Sequence, residues 1–213
     1  MIEFSLTKPI TTLAEPFDFA EEIRRSRFLA HGAAAHSEAE AMAFLARVRV
    51  SDATHNCWAW RVGDGYRSSD DGEPGGTAGR PILAAIDGQG LNHVVVVVTR
   101  WFGGIKLGAG GLVRAYGGGA AKCLRAAQKK TLRPLLRAQL EVGFSDASPF
   151  YTILDRPGVR RLGDGEYTAD GVRWALGVEP DEVEGLRRTV ADVTRGAGRL
   201  TITIKHDPSR VGA

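Results

Sequence analysis

The stretch HVVVVVTRWFGGIKLGAGGLVRAYGGGAAKCLRAAQKK, residues 93–130, contains the signals for a strand, a loop and a helix in succession. Five consecutive valines are β-branched and uninterrupted by polar residues. This run predicts a strand over residues 93–100 that is covered on both faces of its sheet. Closely spaced glycines predict a loop over residues 103–111, and the spacing of apolar residues beyond it predicts a helix over residues 112–130.

The predicted helix has separate apolar and basic faces. At about 100° per residue, one arc carries Val113, Tyr116, Ala120, Cys123, Leu124 and Ala127, and a second arc carries Arg114, Lys122, Arg125 and Lys129. We expect the apolar arc to pack in the core and the basic arc to face outward. Gly117, Gly118 and Gly119 lie mid-helix, where each costs about 1 kcal/mol relative to alanine. Tight packing on the sheet or a ligand is expected to offset that cost.

Positive charge is concentrated around this stretch. No Asp or Glu occurs from Gly88 to Leu140, and this segment has a charge of +9, whereas the whole chain of 213 residues has a net charge of +3. The remaining residues therefore carry −6. Such polarisation favours an anionic partner for one face of the protein.

The glycine-rich loop and its flanking residues form the candidate binding site. Glycines allow backbone N–H groups to approach an anion, and a helix N-terminus favours negative charge. The predicted anion- or nucleic-acid-binding residues are Arg100, Trp101, Gly103, Gly104, Lys106, Gly108, Gly110, Gly111, Arg114, Lys122 and Arg125. Their cationic side chains would bind phosphates, and exposed Trp101 or Phe102 would stack on a base. The alternative is that the glycines serve a tight turn and helix–sheet packing, with Trp101 and Phe102 in the core.

An acidic loop, residues 70–81, is the second candidate. Asp70, Asp71 and Glu73 place three carboxylates within four residues, a chemistry that could ligate Mg²⁺ or form an acid/base site. The favoured interpretation is a solvated turn, because Asp-Gly and Pro-Gly form turns for backbone reasons. A third possibility is that this loop lies against the basic loop and holds it in place. Asp70, Asp71, Glu73 and Arg80 are therefore predicted to be adjacent to the binding site.

His55 and Cys57 raise the possibility of a nucleophilic pair, since cysteine catalysis needs a histidine within hydrogen-bond reach. Two positions apart on a strand, they lie about 6.5–7 Å apart along one face, which is poor geometry for a dyad. We predict that Cys57 is a buried thiol and that His55 is adjacent to the binding site. The remaining histidines lack the spacing of a zinc site, and neither a P-loop nor a dinucleotide fingerprint is present. No catalytic residue, metal ion or cofactor is predicted.

The order of elements indicates two domains. Before the valine run, strands are predicted over residues 11–19, 25–35 and 56–62, a helix begins at Ser37 with a capping box to Glu40, and a short helix covers residues 82–86. After a boundary at Arg133-Pro134, the predicted order is strand 139–144, helix 148–156 capped by Ser148, strands 159–168 and 172–178, a helix from Pro180, and strand 200–204. This βαββαβ order is typical of ferredoxin-like domains. The predicted fold class is α+β, with domains at residues 1–135 and 138–206 and a tail at residues 207–213.

Composition and cysteine usage are those of an ordinary cytoplasmic protein. The hydrophobic fraction is 43% and the charged fraction 25%, as in globular chains that bury a core. Cys57 and Cys123 form no disulfide framework, and the first residues lack the pattern of a signal peptide. The longest apolar run, Val94–Val98, is too short to span a bilayer. A cytoplasmic location without membrane contact is expected.

Three motifs together resemble the IMPACT/YigZ family. They are ATHNCWA at residues 53–59, SDDGEPGGTAGRP at residues 69–81 and RWFGGIKLG at residues 100–108, supported by SRF at residues 26–28. The resemblance covers nearly the whole chain, with one departure: Trp101 stands where the family usually has tyrosine. It implies a first domain with the βαβ fold of a small-subunit ribosomal protein and of domain IV of elongation factor G. It implies a ferredoxin-like second domain, as in bacterial members.

The resemblance also bears on function. Eukaryotic members are implicated in translational control, through a ribosome-associated activator of an initiation-factor kinase, and bacterial members have been proposed to bind nucleic acid. No catalytic residue is implied. Together with the charge pattern, this predicts a non-catalytic protein that binds RNA or the ribosome and regulates translation. The alternatives are an enzyme or binder of a phosphorylated small molecule that uses loop 103–111, and a regulator that acts through a protein partner. The sequence makes no prediction of oligomeric state.

Overall fold

The valine run forms the centre of the first of two structural units. A computed structural model describes residues 9–203 of the chain, and the two units meet along the sequence between Leu132 and Arg133. The elements of the first unit are β1 (Ile10–Leu13), β2 (Phe17–Ile23), β3 (Ser26–Ala34), α1 (Glu38–Val48), β4 (His55–Val62), β5 (Gly65–Ser69), α2 (Gly79–Asp87), β6 (Val94–Trp101), α3 (Ala109–Ala126) and β7 (Lys129–Leu132).

Strand β6 is the middle strand of a five-stranded antiparallel sheet in the order β2-β3-β6-β4-β5. Side chains alternate between the faces of a strand. Val94, Val96 and Val98 pack in the core that also contains buried residues of α2 and α3. Val95 and Val97 pack on the other face, with residues of α1. The prediction of a strand covered on both faces is confirmed. Helix α1 covers one face of the sheet, and helices α2 and α3 cover the other.

Helix α3 is amphipathic, as predicted, but its register and ends differ from the prediction. Tyr116, Ala120, Cys123 and Leu124 are buried. Val113 is 41% exposed and was wrongly assigned to the core; Leu112 is buried in its place. The helix ends at Ala126 rather than Lys130, because Lys129–Leu132 instead pairs with β1. That pairing also explains why residues 11–19 form two strands rather than one, since β1 leaves the main sheet.

The three glycines in the middle of α3 differ in what surrounds them. A Cβ on Gly117 would lie 3.3 Å from Pro81 of α2, so this glycine allows two helices to pack closely. Gly119 is buried beside the carboxylate of Glu21, and a Cβ on Gly118 would meet nothing within 4 Å. Packing therefore explains Gly117 and Gly119 but not Gly118.

The N-termini of α1 and α2 are capped by side chains, from the N-cap residue in α1 and from the acidic loop in α2. Ser37 is the N-cap of α1 and its Oγ accepts a hydrogen bond from the Glu40 amide at 3.1 Å, as predicted. The Glu40 carboxylate accepts from the amide of His36 rather than of Ser37. Helix α2 begins at Gly79, three residues before the predicted start, because Asp70 Oδ1 accepts hydrogen bonds from the amides of Ala78 and Gly79.

The second unit is a separate α+β body with its own core. Its elements are β8 (Leu136–Gly143), α4 (Phe144–Ala147), α5 (Phe150–Ile153), β9 (Val159–Arg161), β10 (Glu166–Tyr167), β11 (Gly171–Val178), α6 (Val183–Thr194) and β12 (Arg199–Thr203), with a 3-10 turn at Pro180–Glu182 before α6. The antiparallel sheet has the order β12-β8-β11, and both β9 and β10 pair with β11. Trp174, Phe150, Leu140 and Leu186 are fully buried between sheet and helices.

Several boundaries predicted for the second unit are wrong. The strand predicted over residues 159–168 is two short strands, which pair with opposite ends of β11. The helix predicted over residues 148–156 is a single turn, Phe150–Ile153, and a separate turn, Phe144–Ala147, precedes it. Ser148 has helical dihedral angles (φ −54°, ψ −46°) instead of the extended conformation of an N-cap. The tail predicted at residues 207–213 lies outside the described residues.

Both units combine helices with antiparallel sheets, so the predicted α+β class is confirmed. Between residues 9 and 203, no helix has both the length and the apolar character needed to cross a membrane.

Candidate functional site

Arg100, predicted to bind phosphates, lies inside the first unit. It is 5% exposed, and its Nη1 donates to Glu73 Oε1 at 2.6 Å while its Nη2 donates to Ser26 Oγ at 3.3 Å. The guanidinium carbon lies 5.5 Å from the ring centroids of both Phe28 and Phe102. The prediction of a surface contact is wrong for Arg100. Position 100 shares a strand face with Val98, and that face is covered by α3 and the acidic loop.

Glu73 is the centre of a buried polar cluster. Its Oε1 also accepts a hydrogen bond from the hydroxyl of Tyr116 at 2.7 Å, and His55 Nε2 lies 3.8 Å from the same oxygen. The carboxylate side chain is 4% exposed. Burying an ion is costly unless it is paired and hydrogen-bonded. The cluster therefore ties the acidic loop to β6 and to α3, as the third interpretation of that loop proposed.

The two aspartates of the acidic loop bond to backbone groups. Burial opposes ionisation of Asp70, but hydrogen bonds from the amides of Gly76, Gly79 and Ala78 outweigh it and hold the pKa of Asp70 below its usual value. Asp71 Oδ2 accepts from the amide of Asn56 at 2.6 Å. These bonds hold both aspartates in a turn, but the turn is not the solvated one predicted, because the Glu73 side chain is only 4% exposed. Across residues 9–203, no three His, Cys, Asp or Glu side chains are arranged to hold a metal ion.

His55 and Cys57 do not form a dyad. His55 Nδ1 donates to the carbonyl of Asp71 at 2.8 Å, and the Cys57 thiol donates to the carbonyl of Asp70 at 3.0 Å. Cys57 is fully buried, as predicted, and burial raises the pKa of its thiol to about 12. Burial likewise raises the pKa of Tyr116 above its usual value. A thiol that stays protonated at neutral pH is a poor nucleophile.

The glycine-rich loop presents a mixed apolar and basic surface above this cluster. Phe102 and Ile105 are 46% and 39% exposed, and Lys106 is exposed. Trp101 is only partly buried, and the guanidinium of Arg27 lies 4.8 Å from its ring centroid. Phe102 therefore offers the more accessible ring for stacking.

The glycines of the loop have individual structural roles. A Cβ on Gly103 would lie 1.9 Å from the carbonyl oxygen of Arg25, so no side chain is possible there. Gly104 and Gly108 have φ angles of 85° and 75°, which favour glycine. A Cβ on Gly111 would lie 2.9 Å from Leu107. The packing alternative therefore accounts for most of these positions.

The first turn of α3 adds a further cation to the loop. Gly108 is the N-cap and provides no capping side chain. A guanidinium nitrogen of Arg114 lies 3.7 Å from the position that a Cβ on Gly110 would occupy, and Arg114 is exposed. The structure thus places the Arg114 charge beside the open helix N-terminus, a few residues from Lys106.

Three cationic residues near this loop were not predicted from the sequence. Arg24 and Arg25 form the exposed turn between β2 and β3, with φ angles of 48° and 65°, and Arg25 contacts Gly103. Arg27 follows on the exposed side of β3. Three arginines within four residues are a local signal that could have identified them. We call the exposed cations around the loop, Arg24, Arg25, Arg27, Lys106 and Arg114, the basic tip.

The remaining predicted residues lie apart from the basic tip or are partly neutralised. Lys122 pairs with Glu21 of β2 at 2.5 Å and lies 5.7 Å from the ring of Phe19, so a carboxylate distant in sequence balances its charge. Arg125 is exposed near the other end of α3, and Arg80 is exposed on α2. Within the described chain, Lys106, Arg114 and Arg125 form no ion pair with a carboxylate.

The fold and this site define a two-unit α+β protein whose first unit presents a cationic, glycine-rich surface above a buried ion pair. Residues 24–124 match the family model described as the Impact N-terminal domain. The chain is 50% identical over 176 residues to "IMPACT family member in pol 5'region" of Thermus thermophilus, a match that covers 82% of this chain and 96% of that protein. The protein belongs to the IMPACT family.

Further relatives extend this result. IMPACT family member YigZ of Escherichia coli is 40% identical over 194 residues, which covers 88% of this chain and 94% of that protein. A solved structure titled "Crystal structure of an hypothetical protein" has a TM-score of 0.68 and 33% identity, and covers 94% of this chain. A protein IMPACT homolog of Dictyostelium discoideum is 36% identical over 96 residues, 40% of this chain.

Proposed function

We propose that this protein is a non-catalytic, regulatory binding protein that contacts RNA, free or in the ribosome, through the basic tip. The observation that carries the proposal is that Lys106 and Arg114 are exposed, lie at one glycine-rich loop and have no carboxylate partner among residues 9–203. Cations left unpaired on one face are the electrostatic signature of a phosphate-binding surface. Exposed Phe102 supplies a ring on which a base would stack.

The proposal includes a ferredoxin-like second domain, a ribosomal-protein-like first domain and a cytoplasmic location. The strand order of the second unit supports a ferredoxin-like domain. In the first unit, β3, α1 and β4 support the βαβ arrangement implied for a ribosomal-protein-like and elongation-factor-like domain. Cys57 and Cys123 are both free thiols and buried, which is consistent with a reducing cytoplasm. We propose translation as the process that this protein serves.

A phosphorylated small molecule is the second candidate ligand. It would use the same open helix N-terminus and Arg114. The metal that such a ligand often brings would need free carboxylates, whereas Asp70 and Glu73 are already bonded to protein donors. RNA therefore has the stronger support.

Binding to labelled single-stranded RNA, duplex RNA and ribosomal subunits tests the proposal, at low and moderate salt. A Lys106→Glu/Arg114→Glu variant should lose binding. An Arg187→Glu/Arg188→Glu variant on exposed α6 residues makes the same change in net charge and should retain it. Wild-type affinity should fall as salt rises, since bound phosphates release counterions. Equal losses in both variants would mean that net charge alone matters, and no binding to any RNA would refute the proposal and direct the search to phosphorylated metabolites.

A further inference from the structure

The second unit carries exposed aromatic side chains that its own core does not need. Phe144, Tyr151 and Tyr167 are 54%, 41% and 72% exposed. Phe144 begins α4, Tyr151 lies on α5 and Tyr167 ends β10 at an edge of the sheet. We call these three residues the aromatic patch. Exposed aromatic residues in a cluster are typical of interaction surfaces.

The three rings are connected to one another and to the core. Phe144 and Tyr167 stack with ring centroids 6.5 Å apart and an angle of 18° between planes. The neighbouring hydroxyl of Tyr167 raises the pKa of Tyr151. Tyr151 in turn meets the fully buried Trp174 edge-on, at 5.4 Å and 85°. The aromatic patch is therefore preorganised on a rigid support, which lowers the entropy cost of binding.

The segments that carry the aromatic patch are acidic, and the neighbouring cations Arg161 and Arg173 are paired with carboxylates of these segments. Segments 144–155 and 162–170, which supply the three rings, contain Asp146, Asp155, Asp164, Glu166 and Asp170 and no Lys or Arg. Two of these carboxylates have cationic neighbours: Asp155 pairs with Arg161 at 2.8 Å and Glu166 lies 3.7 Å from Arg173. The other three have no cationic partner within residues 9–203. This rim repels phosphates, in contrast with the basic tip.

We propose that the aromatic patch binds a segment of a partner protein that presents arginine or lysine side chains. A guanidinium or ammonium group is attracted to the face of a tyrosine or phenylalanine ring within about 6 Å. Unpaired carboxylates at the rim provide complementary charge and speed the encounter. The same rim disfavours RNA, so this surface serves a different partner from the basic tip and does not depend on the function proposed for it.

Peptide binding to the full-length protein tests this proposal. The probe is a synthetic twelve-residue peptide of alternating arginine and glycine, and a glutamate–glycine peptide is the control. Fluorescence anisotropy measures affinity, and the indole N–H resonance of Trp174 reports contact at the aromatic patch, since that ring touches Tyr151. We expect the arginine peptide to bind and to shift this resonance. The glutamate peptide should do neither.

Variants separate the aromatic patch from general charge. Phe144→Ala and Tyr167→Ala should each weaken binding by about fivefold to tenfold. Tyr66→Ala, which removes a 61% exposed tyrosine from the first unit, should not. Asp164→Asn/Asp170→Asn should weaken it mainly at low salt. Unchanged affinity in the patch variants would refute the proposal. Displacement of the peptide by RNA would also refute the proposal and would assign the patch to RNA. Self-association in sedimentation that Tyr167→Ala abolishes would refute it too and would assign the patch to a second copy of the chain.

Discussion

Replacing Arg100 with methionine tests whether this cation stabilises the fold or binds a ligand. Methionine fills much of the same volume but leaves the Glu73 carboxylate, 4% exposed, with Tyr116 as its close hydrogen-bond donor. Removing one partner of a buried ion pair costs about 3–5 kcal/mol, because the other charge stays buried and uncompensated. We expect Arg100→Met to destabilise the first unit by that amount. Lys106 is an exposed cation in the glycine-rich loop, four residues beyond Phe102. Lys106→Met should therefore leave the free energy of unfolding within about 0.5 kcal/mol of wild type.

A second substitution tests the cause of that loss. Glu73→Gln removes the stranded charge but keeps an amide oxygen that can accept from Tyr116. Added to Arg100→Met, it should restore roughly 1–3 kcal/mol, the cost of a buried polar group without its partner. A mutation that destabilises wild type and stabilises the variant is the signature of a coupled pair.

The assay must report on the two units separately, because a chain with two units need not unfold in one step. Amide hydrogen exchange of β6 reports opening of the first unit, and exchange of β11 reports opening of the second. Arg100→Met should accelerate exchange in β6 and leave β11 unchanged. RNA affinity measured on the folded protein should fall for Lys106→Met and not for Arg100→Met. If Arg100→Met keeps β6 protected yet weakens RNA binding as much as Lys106→Met does, then the inward position of the guanidinium is wrong.

Four further predictions concern positions whose surroundings are explicit. Gly118→Ala should raise the free energy of unfolding by about 0.5–1 kcal/mol in urea titration, since its Cβ would meet nothing within 4 Å; a simultaneous loss of RNA affinity would place the ligand against α3. Gly103→Ala should destabilise the loop and increase its proteolysis, because the Cβ would clash with Arg25; wild-type resistance would contradict the contact. The native thiol of Cys57, with its pKa raised to about 12, should resist iodoacetamide at pH 8 and react after unfolding, so rapid native labelling would contradict its burial. The lowered pKa of Asp70 implies stability that is present above the unfolded pKa of about 3.9 and is lost as pH falls through the folded pKa; Asp70→Asn should flatten this acid limb in pH-dependent melts.

Part of the fold could be predicted from local patterns. The valine run identified a strand covered on both faces, and the helical spacing of Tyr116, Ala120 and Leu124 identified the buried stripe of α3. These predictions succeed because burial imposes a period of two on strands and 3.6 on helices. The order of elements in the second unit followed from the same signals, whereas short single-turn helices and broken strands such as β9 and β10 left too weak a pattern to locate.

The candidate site was predicted only in part. The loop itself and its exposed cations, Lys106 and Arg114, were identified from glycine content and charge. Arg24 and Arg25 were missed because they join the loop only when β3 pairs with β6. Lys122 was expected to be unbalanced because no acid is near in sequence, but sheet packing places Glu21 against it.

By itself, the sequence determined the strongest elements, such as β6 and the buried stripe of α3, where positive charge accumulates, and that glycines are required after β6, since these depend on the chemistry of neighbouring residues. Only the tertiary structure decided which cation faces solvent. Arg100 and Lys106 look alike in sequence. The pleat of β6 directs Arg100 to the face that Glu73 and Tyr116 cover from 27 and 16 residues away. A charge is buried when the fold supplies its counter-charge, and that partner comes from elements that only the assembled sheet brings together.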